Sequence, residues 1–158
     1  RVLENLLDKA VQAKANEGRK ITKDITIRLQ TIRQSVEKVE KQAAGRSELY
    51  LEKLKNRLRE LLVDEKIDED RLWREVAFLA ERSDITEEIV RMKSHLELFE
   101  KRIQSDKEIG RELDFLCQEM HREINTMGSK SQLFEISKEV VFIKGELEKI
   151  REQIQNVE

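Results

Sequence analysis

Two glutamates, Glu119 and Glu123, stand four residues apart in the stretch GRELDFLCQEMHREINTMGSK (Gly110–Lys130), with Arg122 between them. On a helix that spacing puts both carboxylates on one face, one turn apart. Like charges at this separation repel by a few tenths of a kcal/mol. Neither has a basic residue four places on, since Glu119 meets Glu123 and Glu123 meets Met127. A hard divalent cation would relieve the repulsion and bridge to a phosphate. Arg122, on the edge of the same strip, can clamp that phosphate through two N–H groups. These are the parts of a metal-assisted phosphodiester hydrolase. The same residues also make an ordinary solvated acidic strip, with Glu119 and Arg122 as an intrahelical pair.

Other groups nearby admit two uses. His95 shares a charged flank with Glu88, Arg91 and Arg102. It can serve as a general base or as a metal ligand from a second helix, or it is a surface histidine with neither role. The corner Ser129-Lys130-Ser131 begins another helix, so its free N–H groups and Lys130 can receive a phosphate; a simple cap is the other reading. Around the Gly110–Lys130 helix, Leu113, Leu116, Cys117, Met120, Ile124 and Met127 form one apolar face. Arg111, Asp114, Gln118, His121, Arg122 and Asn125 form a polar stripe, and Glu112, Glu119 and Glu123 a third strip. Trp73 follows the apolar Leu72 and reads as an interface residue rather than as a base-stacking ring.

The elements that must carry these groups are helical. Of 158 residues, 41% are charged, 4% are aromatic and none is proline. Such a chain forms long helices if its apolar residues are periodic, and they are. Ile21, Ile25, Leu29, Ile32, Val36 and Val39 make one stripe; Ile85, Ile89, Met92, Leu96, Phe99 and Ile103 make another; Val140, Ile143, Leu147, Ile150, Ile154 and Val157 make a third. Asn16-Glu17-Gly18 is expected to end a first helix over residues 2–16, Ala43-Ala44-Gly45 to end the next, and Leu51, Leu54, Leu58 and Leu61 to carry a further one. An acidic segment, 63–70, breaks the pattern. Asp68 or Asp70 can cap a helix whose inner face is Leu72, Val76 and Leu79, and Asp84 with Glu87 resembles a capping box. Gly128 is expected to end the glutamate-bearing helix. A net charge of −2 argues against a generic nucleic-acid coat, though not against a local basic patch. The single Cys117 sits among apolar neighbours, as a buried thiol in a reducing compartment would. No apolar run is long enough to span a membrane. The chain opens without methionine inside a helical pattern, which reads as part of a longer protein. The expected fold is all-α, in long antiparallel hairpins or a bundle with coiled-coil-like seams, elongated and oligomer-forming. The expected division is a helical hairpin or linking region at 1–62 and a C-terminal helical domain at 63–158.

Three stretches, LAERSDITEEIVRMKSHLELFE (Leu79–Glu100), Gly110–Lys130 and EKIREQIQNVE (Glu148–Glu158), resemble the C-terminal half of the bacterial YicC/YloC proteins. Glu17-Gly18 before a long helix also fits. The resemblance runs through essentially the whole chain. It implies a cytoplasmic, metal-dependent endoribonuclease, with Mn or Mg as the metal, that acts on single-stranded or small regulatory RNA and assembles as a ring-like hexamer. It also implies an N-terminal, strand-containing domain outside this sequence and a natural C-terminus at residue 158. Motif positions matched are Asp114, Gln118, Glu119, Arg122, Glu123, Asn125 and Lys130, with His95 in the SHL element. His121 stands where relatives are expected to carry asparagine, which removes it from the catalytic set, and Cys117 stands at a variable apolar position. The resulting assignment gives Glu119 and Glu123 a metal or a water to orient. It gives Arg122 and Lys130 the scissile phosphate, Asn125 and Gln118 supporting hydrogen bonds, and His95 auxiliary acid–base work. This helical part alone is expected to be inactive. The alternative is an oligomerisation scaffold, with RNA binding and catalysis mainly in the N-terminal domain. A coiled-coil adaptor would explain the seams but not the motif.

Overall fold

The computed structural model describes residues 2–44, 52–53, 55–57, 59–60, 69–105, 109–131 and 133–155. Among these residues every regular element is α-helical, and no strand occurs: α1 (Val2–Ala43), α2 (Glu69–Ser83), α3 (Thr86–Arg102), α4 (Gly110–Lys130) and α5 (Phe134–Gln155), with residues 52–53, 55–57 and 59–60 helical as well. The all-α expectation is met.

Four apolar stripes close into one core. Ile25, Leu29, Ile32, Val36 and Val39 of α1 are buried together with the apolar faces of α3, α4 and α5, centred on Met92, Phe99, Met120, Ile124, Ile143 and Leu147. Charged pairs along the seams show how the helices run relative to one another. Arg33 meets Glu100 and Lys93 meets Glu40, so α1 and α3 run antiparallel. Arg91 with Glu123 and Arg102 with Glu112 set α3 against α4. Arg151 with Asp114 sets α4 against α5, and Arg28 with Glu146 sets α5 back against α1. The result is an antiparallel ring of four helices around one core, each offering the face that its sequence spacing makes apolar.

Several local expectations change. Helix α1 does not end at Gly18 but runs through it. A mid-helix glycine costs about 1 kcal/mol relative to alanine, too little to stop a proline-free helix, and Arg19 donates to the Asn16 side chain across that turn. The helix does end at Ala43. Gly128 also lies inside its helix, because α4 continues to Lys130. Its role is close approach: a β-carbon there would come within 3.1 Å of Val140 Cγ1 on α5. Asp84 Oδ1 accepts the Thr86 N–H at 2.9 Å and the Thr86 hydroxyl at 2.6 Å, which holds the Asp84 carboxyl below the usual carboxylate range. Glu87 does not reach back to complete a capping box; it pairs with Arg91. On α2, Val76 is buried but Leu79 is exposed. Trp73 is half exposed, with Lys55 Nζ 3.9 Å from its ring centroid. The expected stripe Leu51, Leu54, Leu58 and Leu61 and most of the acidic 63–70 segment lie outside the described residues, as does the side chain of Leu72.

Gly145, in the middle of α5, faces open space: a methyl group added there would meet nothing within 4 Å. Gly145→Ala should therefore raise stability by about 0.5–1 kcal/mol. Gly128→Ala should not, because its methyl must displace Val140. Urea midpoints of the two variants, compared with the parent, check the contrast.

Candidate functional site

The polar groups of the site sit where α3 and α4 leave the core and approach solvent. On α4 the flank turned to α3 carries Glu112, Glu119, Glu123 and Lys130; on α3 it carries Glu88, Arg91, His95 and Arg102. Glu123 is buried, only 4% exposed, with Oε1 3.6 Å from Arg91 Nη1. A carboxylate so placed must be compensated, since removing a charge from water costs several kcal/mol. Arg91, itself bonded to Glu87, supplies that compensation. Glu88 is buried as well and binds Lys130 Nζ at 2.7 Å through Oε1, while its Oε2 is enclosed without a hydrogen-bond partner. The Lys130 ammonium also donates to the Asp84 carbonyl at 3.1 Å, which ties the end of α4 to the turn before α3.

The offset that pairs Arg91 with Glu123 and Arg102 with Glu112 sets His95 opposite Glu119. Both are half-buried, and their side chains form neither an ion pair nor a hydrogen bond with each other. The structure thus brings Glu119, Glu123, His95 and Lys130 to one seam. Arg122, Gln118 and Asn125 are not on it; they are exposed on the outward face of α4, beside Glu119. Gln118 Nε2 donates to Asp114 Oδ2 at 2.7 Å, and Asp114 in turn accepts from Arg151 Nε at 3.0 Å.

Glu119 and Glu123 offer carboxylate oxygens one helical turn apart. Among the described residues no group of three or more His, Cys, Asp or Glu side chains converges as a metal cage would. A two-carboxylate set fits an Mg²⁺-type ion, which keeps waters and takes substrate phosphate oxygens as further ligands. Arg91 would have to yield its place at Glu123 to such an ion. What sequence reasoning missed is the pairing of Glu88 with Lys130 and of Arg91 with Glu123. No signal in one helix reports which residues of another helix it will face.

Residues 36–158 match the family model described as endoribonuclease YicC-like, C-terminal. A Clostridioides difficile protein named probable endoribonuclease YicC is 49% identical over 157 residues, which is 99% of this chain and 54% of that protein. A Haemophilus influenzae protein of the same name is 33% identical over 155 residues, 98% of this chain and 53% of that protein. The chain spans about half the length of the curated relatives it matches. Among the described residues no helix is long and apolar enough to cross a membrane.

The two α4 residues set apart from the motif, Cys117 and His121, face the core and α5 rather than the α3 seam. Burial pushes the Cys117 thiol up to about 12, so it is an inert packing group. His121 Nε2 is enclosed without a hydrogen-bond partner, 3.6 Å from Glu148 Oε2. Burial lowers its pKa; Glu148 opposes that shift, while Arg151 and Lys144 add to it. A histidine kept neutral by the fold takes its proton more readily in the unfolded chain. Its contribution to stability is full above the unfolded pKa, about 6.5, and is lost as pH falls below it. Urea midpoints should accordingly drop between about pH 7.5 and about pH 5.5, and His121→Gln should flatten that slope.

Proposed function

The chain belongs to the YicC-like endoribonuclease family, and on that premise we propose that it is the helical C-terminal part of a metal-dependent endoribonuclease that cleaves single-stranded or small regulatory RNA. The observation that carries the reading is the α3/α4 seam. There two carboxylates a turn apart, a histidine from the facing helix and a lysine share one strip, with the exposed Arg122 alongside. Glu119 and Glu123 would hold a divalent ion, Mn or Mg, or orient water. The ion, when bound, supplies charge neutralisation at a phosphate and a more acidic water. Arg122 binds non-bridging phosphate oxygens through its planar N–H groups. Lys130 has three N–H donors, two of them engaged by Glu88 and Asp84, so the third is left for the phosphate. Asn125 and Gln118 hydrogen-bond beside the strip, and His95 moves a proton as auxiliary acid or base.

The full-length protein is proposed to act in the cytoplasm as a homo-oligomer, with the hexamer suggested by the resemblance, and with the helical part inactive by itself. One observation favours the second reading, an oligomerisation scaffold with long hairpin seams whose catalysis lies in an N-terminal domain outside this sequence. The outward face of α5 exposes Phe134 (78%), Val141 (70%) and Phe142, more apolar surface than a solvated helix needs.

Glu119→Ala and Arg122→Ala are each expected to abolish metal-dependent RNA cleavage by the full-length protein, read as product on a denaturing gel, while its mass by light scattering stays the same. Undiminished cleavage in both would remove the site assignment. Loss of assembly in either would favour the scaffold.

A further inference from the structure

The outward face of α4 differs from those of the other three helices that enclose the core, α1, α3 and α5. Apart from Glu112, which pairs with Arg102 at 3.3 Å, the exposed residues of α4 are Arg111, Phe115, Gln118, Arg122, Asn125 and Ser129. They fall at spacings of 4, 3, 4, 3 and 4, a single stripe along the whole helix. None of them is acidic, in a chain with 33 Asp and Glu. Corresponding faces of α3 and α5 carry exposed glutamates, Glu87 and Glu97 on one and Glu148 and Glu152 on the other. The outward face of α1 is also free of acids around Lys23 and Gln34, but its central apolar group is the aliphatic Ile27. Among these four described faces, only the α4 stripe combines two arginines, two side-chain amides and an aromatic ring. Phe115 is 59% exposed, an aromatic ring outside the core.

We propose that this stripe, from Arg111 to Ser129, is the track for a single strand of RNA, with Phe115 stacking on an unpaired base. The proposal rests on the endoribonuclease reading above and deepens it. Arg111 lies one turn before Phe115 and Arg122 two turns after it, so cations about 16 Å apart along the helix bracket the ring, on a stripe about 27 Å long in all. That is the pattern of a single-strand platform: cations track the phosphates and an aromatic face takes a base. Gln118 and Asn125 lie between and beyond, where their amides reach base edges or the 2′-hydroxyl. A duplex would not use Phe115, because its bases are already stacked on one another. The stripe also borders the proposed chemistry. Phe115 is one turn before the half-buried Glu119, so a strand stacked on the ring passes its next phosphates beside Glu119 and over Arg122.

The test is the affinity of the full-length protein for fluorescein-labelled oligouridylate in EDTA, by anisotropy, with cleavage in Mn²⁺ measured in parallel. Stacking on one base corresponds to roughly a five- to 150-fold change in Kd. Phe115→Ala and Phe115→Leu should each weaken single-strand binding by about tenfold. Phe115→Trp should restore it, and binding to a duplex of the same length should not change with any of them. Phe115→Ala binding within twofold of the parent would overturn the track. So would Phe115→Leu binding like the parent, since bulk without a ring would then suffice. A change in the mass of Phe115→Ala by light scattering would overturn it in favour of a protein interface. If the track fails while the parent still cleaves RNA, the endoribonuclease reading stands without it; a parent that neither binds nor cleaves RNA removes both.

Discussion

Four apolar stripes must be hidden from water at once, and that constraint organises everything else in the described structure. Each stripe covers about a third of a helix surface, which is what a helix in a four-membered ring turns inward. The successive helices α3, α4 and α5 satisfy it through short connections, three residues long between α4 and α5, whereas the chain leaves α1 and passes through α2 before it reaches α3. Once the ring is closed, the flanks of each stripe become seams, and the residue types on them are no longer free. Glu88, Glu123 and Glu146 are buried there, and each has a cation beside it: Lys130, Arg91, and Arg28 with Lys149.

Glu146 shows the structural use of this arrangement. It accepts from Arg28 and Lys149, and these partners hold its carboxyl below the usual carboxylate range against the opposing effect of burial. The Asp24 carboxylate is held down similarly by Arg28 and Gln153, so α1 and α5 are joined by one polar network. The α3/α4 seam is built differently. Its Arg91–Glu123 pair is long at 3.6 Å, Glu88 keeps an oxygen without a partner, and Glu119 faces His95 without bonding to it. Unmet hydrogen bonds alone do not set this seam apart, since on the α1/α5 seam Gln153 Oε1 also lacks a partner and Lys38 stands 3.9 Å from Glu139. What is particular to the α3/α4 seam is the pair of carboxylates, Glu119 and Glu123, one turn apart.

The helices themselves are legible in the sequence because their signal is local. Ile25 to Val39, Ile85 to Phe99 and Val140 to Ile154 are buried as their spacing requires. Punctuation is less legible. Gly18 and Gly128 look like stops, yet one is carried by a helix that has no proline to end it, and the other lets two helices approach. The candidate site is legible on α4 alone. That Glu119 and Glu123 share a strip follows from their spacing. That Glu123 is buried and Arg122 is not depends on where α3 lies, and no periodicity in α4 contains that. Phe115 is hard to single out because an aromatic among apolar residues reads as core, although its angle on the helix puts it outward.

We propose that Glu119 and Glu123 on the α3/α4 seam hold a divalent ion beside the α4 surface. Electron paramagnetic resonance of Mn²⁺ added to the full-length protein measures this directly, since bound Mn²⁺ loses the sharp signal of the free ion. Saturable binding that disappears in Glu119→Ala, with helicity by circular dichroism unchanged, is the predicted result. No bound Mn²⁺ in the parent, or equal binding in Glu119→Ala, would contradict the claim.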